Sequence, residues 1–124
     1  MAGVSLTSLL ENNQAVSCLN IVIGSKNLTE QTREKFLQTA KKYGREIKFV
    51  WLDQIDSFLK TTSLHSYNGG YEAYYKCFCA CNDTFADQLG FLPRSWETAI
   101  YIDCDTLVVG NLMPLAEKVA SLPT

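Results

Sequence analysis

Short apolar runs alternate with stretches of helical periodicity along the chain, and this alternation restricts its fold more than any other feature. Residues 18–23 (CLNIVI) form an almost wholly apolar run of strand length, which is typical of a buried parallel strand. Residues 46–52 (EIKFVWL) alternate and then turn apolar, which also indicates a strand. Apolar residues at helical spacing precede the first run and return between the two runs. The order helix, strand, helix, strand predicts an α/β domain with a parallel sheet and crossover helices.

Polar residues and a glycine mark the expected ends of these helices. Asn12 and Asn13 follow the first helical stretch and are predicted to stop it. Asn27 is predicted to cap the second helix, because Glu30 follows three residues later as the partner in a capping box. Gly44 is predicted to end that helix, since glycine readily takes the left-handed conformation found at helix C-termini.

The second half of the chain is predicted to be less regular. A helical turn is expected within residues 55–59, a turn at 68–70 (NGG), and a helix over 71–81. A third strand is expected over residues 99–102 (AIYI), and Pro114 is expected to begin a final helix.

Composition indicates a globular protein and excludes several other classes. The 124 residues suit one domain, and 47% are hydrophobic while 19% are charged. A net charge of -2 without a basic stripe argues against a nucleic-acid partner. No apolar run approaches the roughly 20 residues of a membrane span, and the first residues lack the basic region of a secretory signal. The odd count of five cysteines argues against a disulfide framework, so a reducing, cytoplasmic location is expected.

Two carboxylates directly follow the predicted third strand. Asp103 and Asp105 are two residues apart, so on an extended backbone both side chains lie on the same side. They are expected at the carboxyl end of the strand, where open α/β sheets bind ligands. Paired carboxylates repel each other unless a cation separates them, and Mg²⁺ and Mn²⁺ prefer oxygen ligands. The spacing therefore predicts a divalent metal site, although solvated turn residues after a strand show the same bare pattern.

The sequence around these acids resembles the core signature of the family-8 glycosyltransferases, which include glycogenin and the bacterial lipopolysaccharide galactosyltransferases. The similarity is carried by residues 99–112 (AIYIDCDTLVVGNL). It extends upstream to residues 2–13 (AGVSLTSLLENN) and 28–35 (LTEQTREK), which resemble the family's first and second helices. Residues 71–76 (YEAYYK) resemble the segment that carries a basic residue near the sugar nucleotide. The resemblance thus covers nearly the whole chain in the expected order.

This resemblance implies a GT-A, Rossmann-like fold and transfer of a hexose with retention of anomeric configuration. The implied partners are a nucleotide-sugar donor, usually UDP-linked, a saccharide or glycan acceptor, and Mn²⁺ or Mg²⁺. By the family pattern, Asp103 and Asp105 bind the metal, and Asp103 also reaches the ribose. Cys104 places its backbone against the nucleotide. Lys76 stands where the family's Arg or Lys meets the donor, although an ordinary solvated helix lysine is the alternative interpretation.

The family pattern also has parts that this sequence does not match. It begins with a base-binding strand and continues, past the Asp-x-Asp step, to a metal-binding histidine and the acceptor pocket. Residues 1–124 are therefore expected to form a partial GT-A domain whose parallel sheet lacks its first, central strand. We expect such a chain to bind metal and nucleotide weakly, to transfer no sugar alone, and to self-associate through exposed strand edges. The alternative to an enzyme is a non-catalytic remnant that serves as a binding or interaction module.

A phosphatase or nuclease is a third hypothesis, and it ranks last. It would need further acids at other strand ends, and the only candidates are Asp53 and Asp56, which follow the second predicted strand.

Several other residues are expected to be structural. Cys77, Cys79 and Cys81 are expected to be buried thiols rather than a zinc site completed by His65, which is expected in a polar loop. Trp51 and Trp96 are expected in the core or at its boundary. An aromatic cluster is expected to pack a helix on the sheet, with stacking on a base or sugar as the alternative: Tyr67, Tyr71, Tyr74 and Tyr75.

Overall fold

The computed structural model describes residues 1–78, 92, 96 and 98–123. The described elements are α1 (Ala2–Asn12), β1 (Ile21–Ser25), α2 (Glu30–Lys42), β2 (Ile47–Trp51), α3 (Asp53–Leu59), a 3-10 helix (Glu72–Phe78) and α4 (Met113–Ala120), and the first four follow the predicted order of helix, strand, helix, strand. In the described part of the chain, β1 and β2 pair as a small parallel sheet. This mixed architecture confirms the α/β class and is consistent with part of a Rossmann-like GT-A domain.

The ends of α2 show one wrong boundary prediction and one confirmed prediction. Thr29, rather than Asn27, caps the helix, and its hydroxyl accepts a hydrogen bond from the Thr32 backbone N–H at 3.2 Å. Asn27 instead has a positive φ of 63°, so it turns the chain before the helix begins. At the other end Gly44 has a φ of +67°, and the Arg45 N–H reaches back to the Ala40 carbonyl at 2.9 Å. A glycine in the left-handed conformation, followed by a backbone N–H that bonds back into the last turn, is typical of a helix that ends at glycine, as predicted.

The residues fall into two compact units, which are described separately. The first comprises Met1–Ile23, Asn27–Phe49 and Ile100–Thr124. Its core consists of Leu6 and Leu10 of α1, Ile21 of β1 and Phe36 of α2. Leu6, Leu10 and Phe36 come from the apolar faces that helical spacing predicts, and their burial holds α1 against α2.

The second unit comprises Gly24–Lys26 and Val50–Ala99. Its described core contains Leu52, Ile55 and Leu59, which contact Tyr75 of the 3-10 helix. Between α3 and that helix, Tyr67 and Gly70 exchange two backbone hydrogen bonds around a tight turn. The two central residues of this turn both have positive φ, which confirms the turn predicted from the Asn-Gly-Gly sequence.

The predicted third strand is the main correction. Residues 99–102 are described but belong to no strand, and the described sheet consists of β1 and β2. Ile100 and Tyr101 are 36% and 50% exposed, so this apolar segment is not buried as expected. A strand needs backbone hydrogen bonds to a neighbouring strand. Apolar composition favours such pairing but does not supply the neighbour, and the prediction therefore failed.

Smaller corrections concern the predicted core. The helix expected over residues 71–81 is a 3-10 helix over Glu72–Phe78, and Cys79 and Cys81 lie outside the described residues. Cys77 is exposed, so the expectation of a buried thiol was wrong for it. Trp51 is 57% exposed at the end of β2, which also contradicts a core position. None of the described helices is long and apolar enough to cross a membrane.

Candidate functional site

The two acids of the Asp-Cys-Asp step lie in a tight turn. The Thr106 N–H donates to the Asp103 carbonyl at 3.0 Å, which closes a four-residue turn around Cys104 and Asp105. Asp103, Cys104 and Asp105 are all exposed. The expectation that both acids directly follow a parallel strand was therefore wrong, because the preceding residues are not in a strand and the acids themselves are in a turn.

The backbone just after this turn is held by side chains of α1. The Val108 N–H donates to the Ser8 hydroxyl at 2.9 Å, and the Val108 carbonyl accepts from the Asn12 amide at 2.9 Å. Two side chains thus satisfy both backbone groups of Val108, as a neighbouring strand would, and Val108 is buried. Ser8 and Asn12 are four residues apart, so they share one face of α1.

Asn13, the residue directly after α1, binds the same segment further along, at Gly110 and Leu112. Its side chain is fully buried, and its amide nitrogen donates to the Leu9 carbonyl at 2.9 Å and the Gly110 carbonyl at 3.3 Å. Its side-chain oxygen accepts from the Leu112 N–H at 2.7 Å. Every polar atom of this buried amide therefore has a partner, as buried polar groups require. We call Ser8, Asn12 and Asn13 the α1 clip.

Sequence reasoning missed the α1 clip. The sequence predicts only a helix stop at Asn12 and Asn13, and it gives Ser8 no role. The signal in the sequence is a pair of asparagines directly after the apolar stripe of a helix, because an asparagine that becomes buried there is costly unless it finds hydrogen-bond partners. The sequence could not say which backbone they bind, because the partners are about a hundred positions away.

The donor set at the turn fits a hard divalent cation. Asp103 and Asp105 offer carboxylate oxygens that are open to solvent. Within the described ranges, no group of three or more His, Cys, Asp or Glu side chains is gathered into a closed metal cage. Mg²⁺-like ions keep several waters and are commonly held by one or two carboxylates together with substrate phosphates. The two acids therefore suit Mn²⁺ or Mg²⁺ better than a closed tetrahedral zinc site.

Lys76 lies in the second unit, on the 3-10 helix, and its side chain is exposed. Tyr75, the residue before it, is buried against α3. The predicted role of Lys76 at the donor, like those of Asp103, Cys104 and Asp105, stays a prediction. His65 lies in an exposed loop, as expected, and its carbonyl accepts a bond from the Tyr74 hydroxyl at 2.9 Å.

An ionic cluster around the buried Asp56 carboxylate contacts the 3-10 helix in the same unit. The Asp56 carboxylate accepts from the Tyr75 hydroxyl at 2.7 Å and pairs with Lys26 at 3.2 Å and Lys60 at 3.1 Å. Lys26 also reaches the Glu72 carboxylate at 3.3 Å. Only 6% of the Asp56 side chain is exposed. We call these five residues the Asp56 cluster.

The partners of Asp56 keep it ionised. The Tyr75 hydrogen bond, followed by those from Lys60 and Lys26, lowers the pKa of Asp56 from 3.8 to about 2, against the opposing effect of burial. Burial and the bond to Asp56 raise the pKa of Tyr75 well above its usual range. A carboxylate with three donors is a structural anchor rather than an open metal ligand or a proton donor. Asp56 therefore does not favour the phosphatase or nuclease hypothesis.

Comparison with known proteins gives one family. A family profile described as "Glycosyl transferase family 8" matches residues 1–118. No curated protein matches the chain, and no solved structure does.

Proposed function

Because this chain belongs to glycosyl transferase family 8, we propose that its residues form a nucleotide-sugar donor site that serves the transfer of a hexose to a saccharide or glycan acceptor. Family membership supports glycosyl transfer in general and implies both classes of partner. In this site the donor is UDP-linked, a divalent cation takes part, and the transfer retains the anomeric configuration.

The proposed donor site assigns a role to each of four residues. Asp103 and Asp105 hold Mn²⁺ or Mg²⁺ through their carboxylates, and Asp103 also reaches the ribose. Cys104 contributes its backbone to the nucleotide surface. Lys76 places an ammonium group against the donor. The bound ion would offset the charge that develops on the diphosphate leaving group.

The observation that carries this proposal is the exposed turn of Asp103 and Asp105, followed by a segment that the α1 clip holds, with Asn13 buried. The Asp103–Thr106 turn presents two carboxylates to solvent, while the backbone from Val108 to Leu112 is tied to α1. A fixed backbone reduces the ordering cost that a ligand would otherwise meet on binding. Metal and phosphate sites depend on such support behind the ligands themselves.

Calorimetric titration of the full chain with UDP, in the presence and absence of Mn²⁺, tests the proposal. We expect binding that requires Mn²⁺ and that weakens at least about tenfold in Asp103→Asn and in Asp105→Asn, since each variant removes a charged ligand. Asp53→Asn is the matched control, because Asp53 is also an exposed aspartate, at the start of α3, and has no role in the proposed site.

Two results would contradict the proposed site. One is UDP binding of equal strength with and without Mn²⁺. The other is an equal loss in Asp53→Asn and in the two turn variants, which would mean that the measured effect is general charge rather than a local site.

A further inference from the structure

The 3-10 helix that carries Lys76 cannot owe its orientation to its own hydrogen bonds. It spans Glu72–Phe78, and 3-10 helices have poorer hydrogen-bond geometry than α-helices and seldom run longer than three or four residues. Its orientation must come from side chains that tie it to the rest of the second unit. Tyr75 provides the central tie, since its ring packs against Leu52, Ile55 and Leu59.

Ring packing alone leaves the helix able to rotate about its axis, and the Asp56 cluster limits that rotation. The Tyr75 hydroxyl donates to the buried Asp56 carboxylate at 2.7 Å. Lys26 bonds the same carboxylate at 3.2 Å and the Glu72 carboxylate at 3.3 Å, so it connects Asp56 to the first turn of the helix. Lys60, the residue directly after α3, pairs with the other carboxylate oxygen at 3.1 Å. Asp56 therefore reaches the 3-10 helix by two routes.

The position of Lys76 follows from this attachment. A 3-10 helix has three residues per turn, so successive side chains differ by about 120° around the axis. With Tyr75 held inward, Lys76 is turned away from the core, which agrees with its exposure. A rotation that released Tyr75 from Asp56 would move the Lys76 ammonium group by the same angle.

We propose that Asp56 is a positioning residue for Lys76, acting through the Tyr75 hydroxyl and the Lys26–Glu72 pair to fix the direction from which Lys76 meets a nucleotide-sugar donor. This inference rests on the proposed donor role of Lys76. Asp56 itself is buried and ion-paired, so it acts on the donor only through the helix.

A double-mutant cycle on UDP affinity, measured with Mn²⁺ on the full chain, separates positioning from general stability. Tyr75→Phe keeps the ring in the core and removes the hydroxyl, and we expect UDP to bind about fivefold more weakly, within the range for coupled neighbours. In a Lys76→Ala background the same change should cost nothing further. In a Lys76→Arg background, which restores a cation, the loss should return.

Tyr43→Phe is the matched control. It removes a tyrosine–carboxylate bond of the same 2.7 Å length, between Tyr43 and Glu11 in the first unit, and we expect unchanged UDP affinity. Asp56→Asn is the second variant, for use if Tyr75→Phe does not fold. Its loss of charge should also weaken UDP binding only where residue 76 carries a cation.

The outcomes distinguish this inference from the donor proposal. A wild-type chain that binds no UDP with Mn²⁺ overturns the donor proposal and this inference with it. Two other results overturn the positioning role of Asp56 and leave the donor proposal standing. One is that Lys76→Ala weakens UDP binding while Tyr75→Phe does not. The other is that Tyr75→Phe weakens UDP binding by the same factor in the Lys76→Ala background as in the wild type.

Discussion

Asn13 offers the sharpest test of how the candidate site is built, and Asn13→Ala is the perturbation. The change removes three hydrogen bonds of a fully buried amide: those to the Leu9 and Gly110 carbonyls and that from the Leu112 N–H. The Gly110 carbonyl and the Leu112 N–H, which follow the turn of Asp103 and Asp105, then lose this partner. Each hydrogen bond contributes about 1 kcal/mol net, so we expect the free energy of unfolding to fall by about 3 kcal/mol.

That loss is large for a domain, because folded proteins are typically stable by only about 5 to 15 kcal/mol. Urea unfolding followed by circular dichroism measures it. With a typical slope of about 1 to 3 kcal/mol per molar urea, the unfolding midpoint should fall by about 1 to 3 M.

Gln14→Ala is the control for this prediction. Gln14 is the next residue, but its side chain is exposed and donates to the Glu11 carbonyl at 3.2 Å. We expect a change within about 0.5 kcal/mol, as for most surface substitutions. A loss of less than about 1 kcal/mol in Asn13→Ala, or a loss no larger than that of Gln14→Ala, would refute the account of the α1 clip.

Two further predictions concern stability. Because the Tyr75 bond and the two lysines lower the pKa of Asp56 from 3.8 to about 2, ionised Asp56 contributes about 2 kcal/mol above about pH 4, and this is lost as the pH falls towards 2. Urea unfolding of the wild type and of Asp56→Asn should therefore differ most near neutral pH and converge in acid, whereas a pH-independent difference would contradict the assignment. Gly44→Ala should destabilise the chain by about 1 kcal/mol because φ is +67°, while Gly3→Ala, inside α1 with open space around it, should stabilise by up to about 1 kcal/mol. Thermal unfolding of both glycine variants gives the two signs, and equal signs would show that backbone conformation does not decide the effect.

Local signals in the sequence were enough to predict most of the elements. The apolar runs at residues 18–23 and 46–52 overlap β1 and β2, and Gly44 ends α2. These features depend on neighbouring residues, which the sequence shows directly. The cap of α2 was misassigned because Asn27 and Thr29 are both good cap residues, and only the backbone conformation of each decides between them.

Features that depend on distant partners could not be predicted in the same way. Residues 99–102 have the composition of a strand, yet strand formation requires a neighbour that composition does not identify. The bond between Asn12 and Val108 joins positions 96 apart. Spacing and resemblance predict the two acids of the candidate site, whereas the α1 clip depends on contacts between distant positions that the sequence does not show.

The Asp56 cluster shows a third kind of limit. The sequence shows Asp56 only as an acid that follows a strand, and the structure does place it after β2. Its partners Lys26 and Tyr75 come from separate segments, and their contacts convert a candidate catalytic acid into an ion-paired anchor. Chemistry inferred from residue type alone is therefore least secure for a charged residue that becomes buried.

The measurement that tests the central claim most directly is paramagnetic broadening by Mn²⁺ of the amide resonances of the full chain, recorded with UDP present. The account predicts that broadening is strongest around the Asp103–Thr106 turn and disappears from that turn in Asp103→Asn and in Asp105→Asn. Broadening centred on Asp53 in the wild type, or broadening at the turn that persists in both variants, would contradict the claim that these two carboxylates hold the metal of a nucleotide-sugar site.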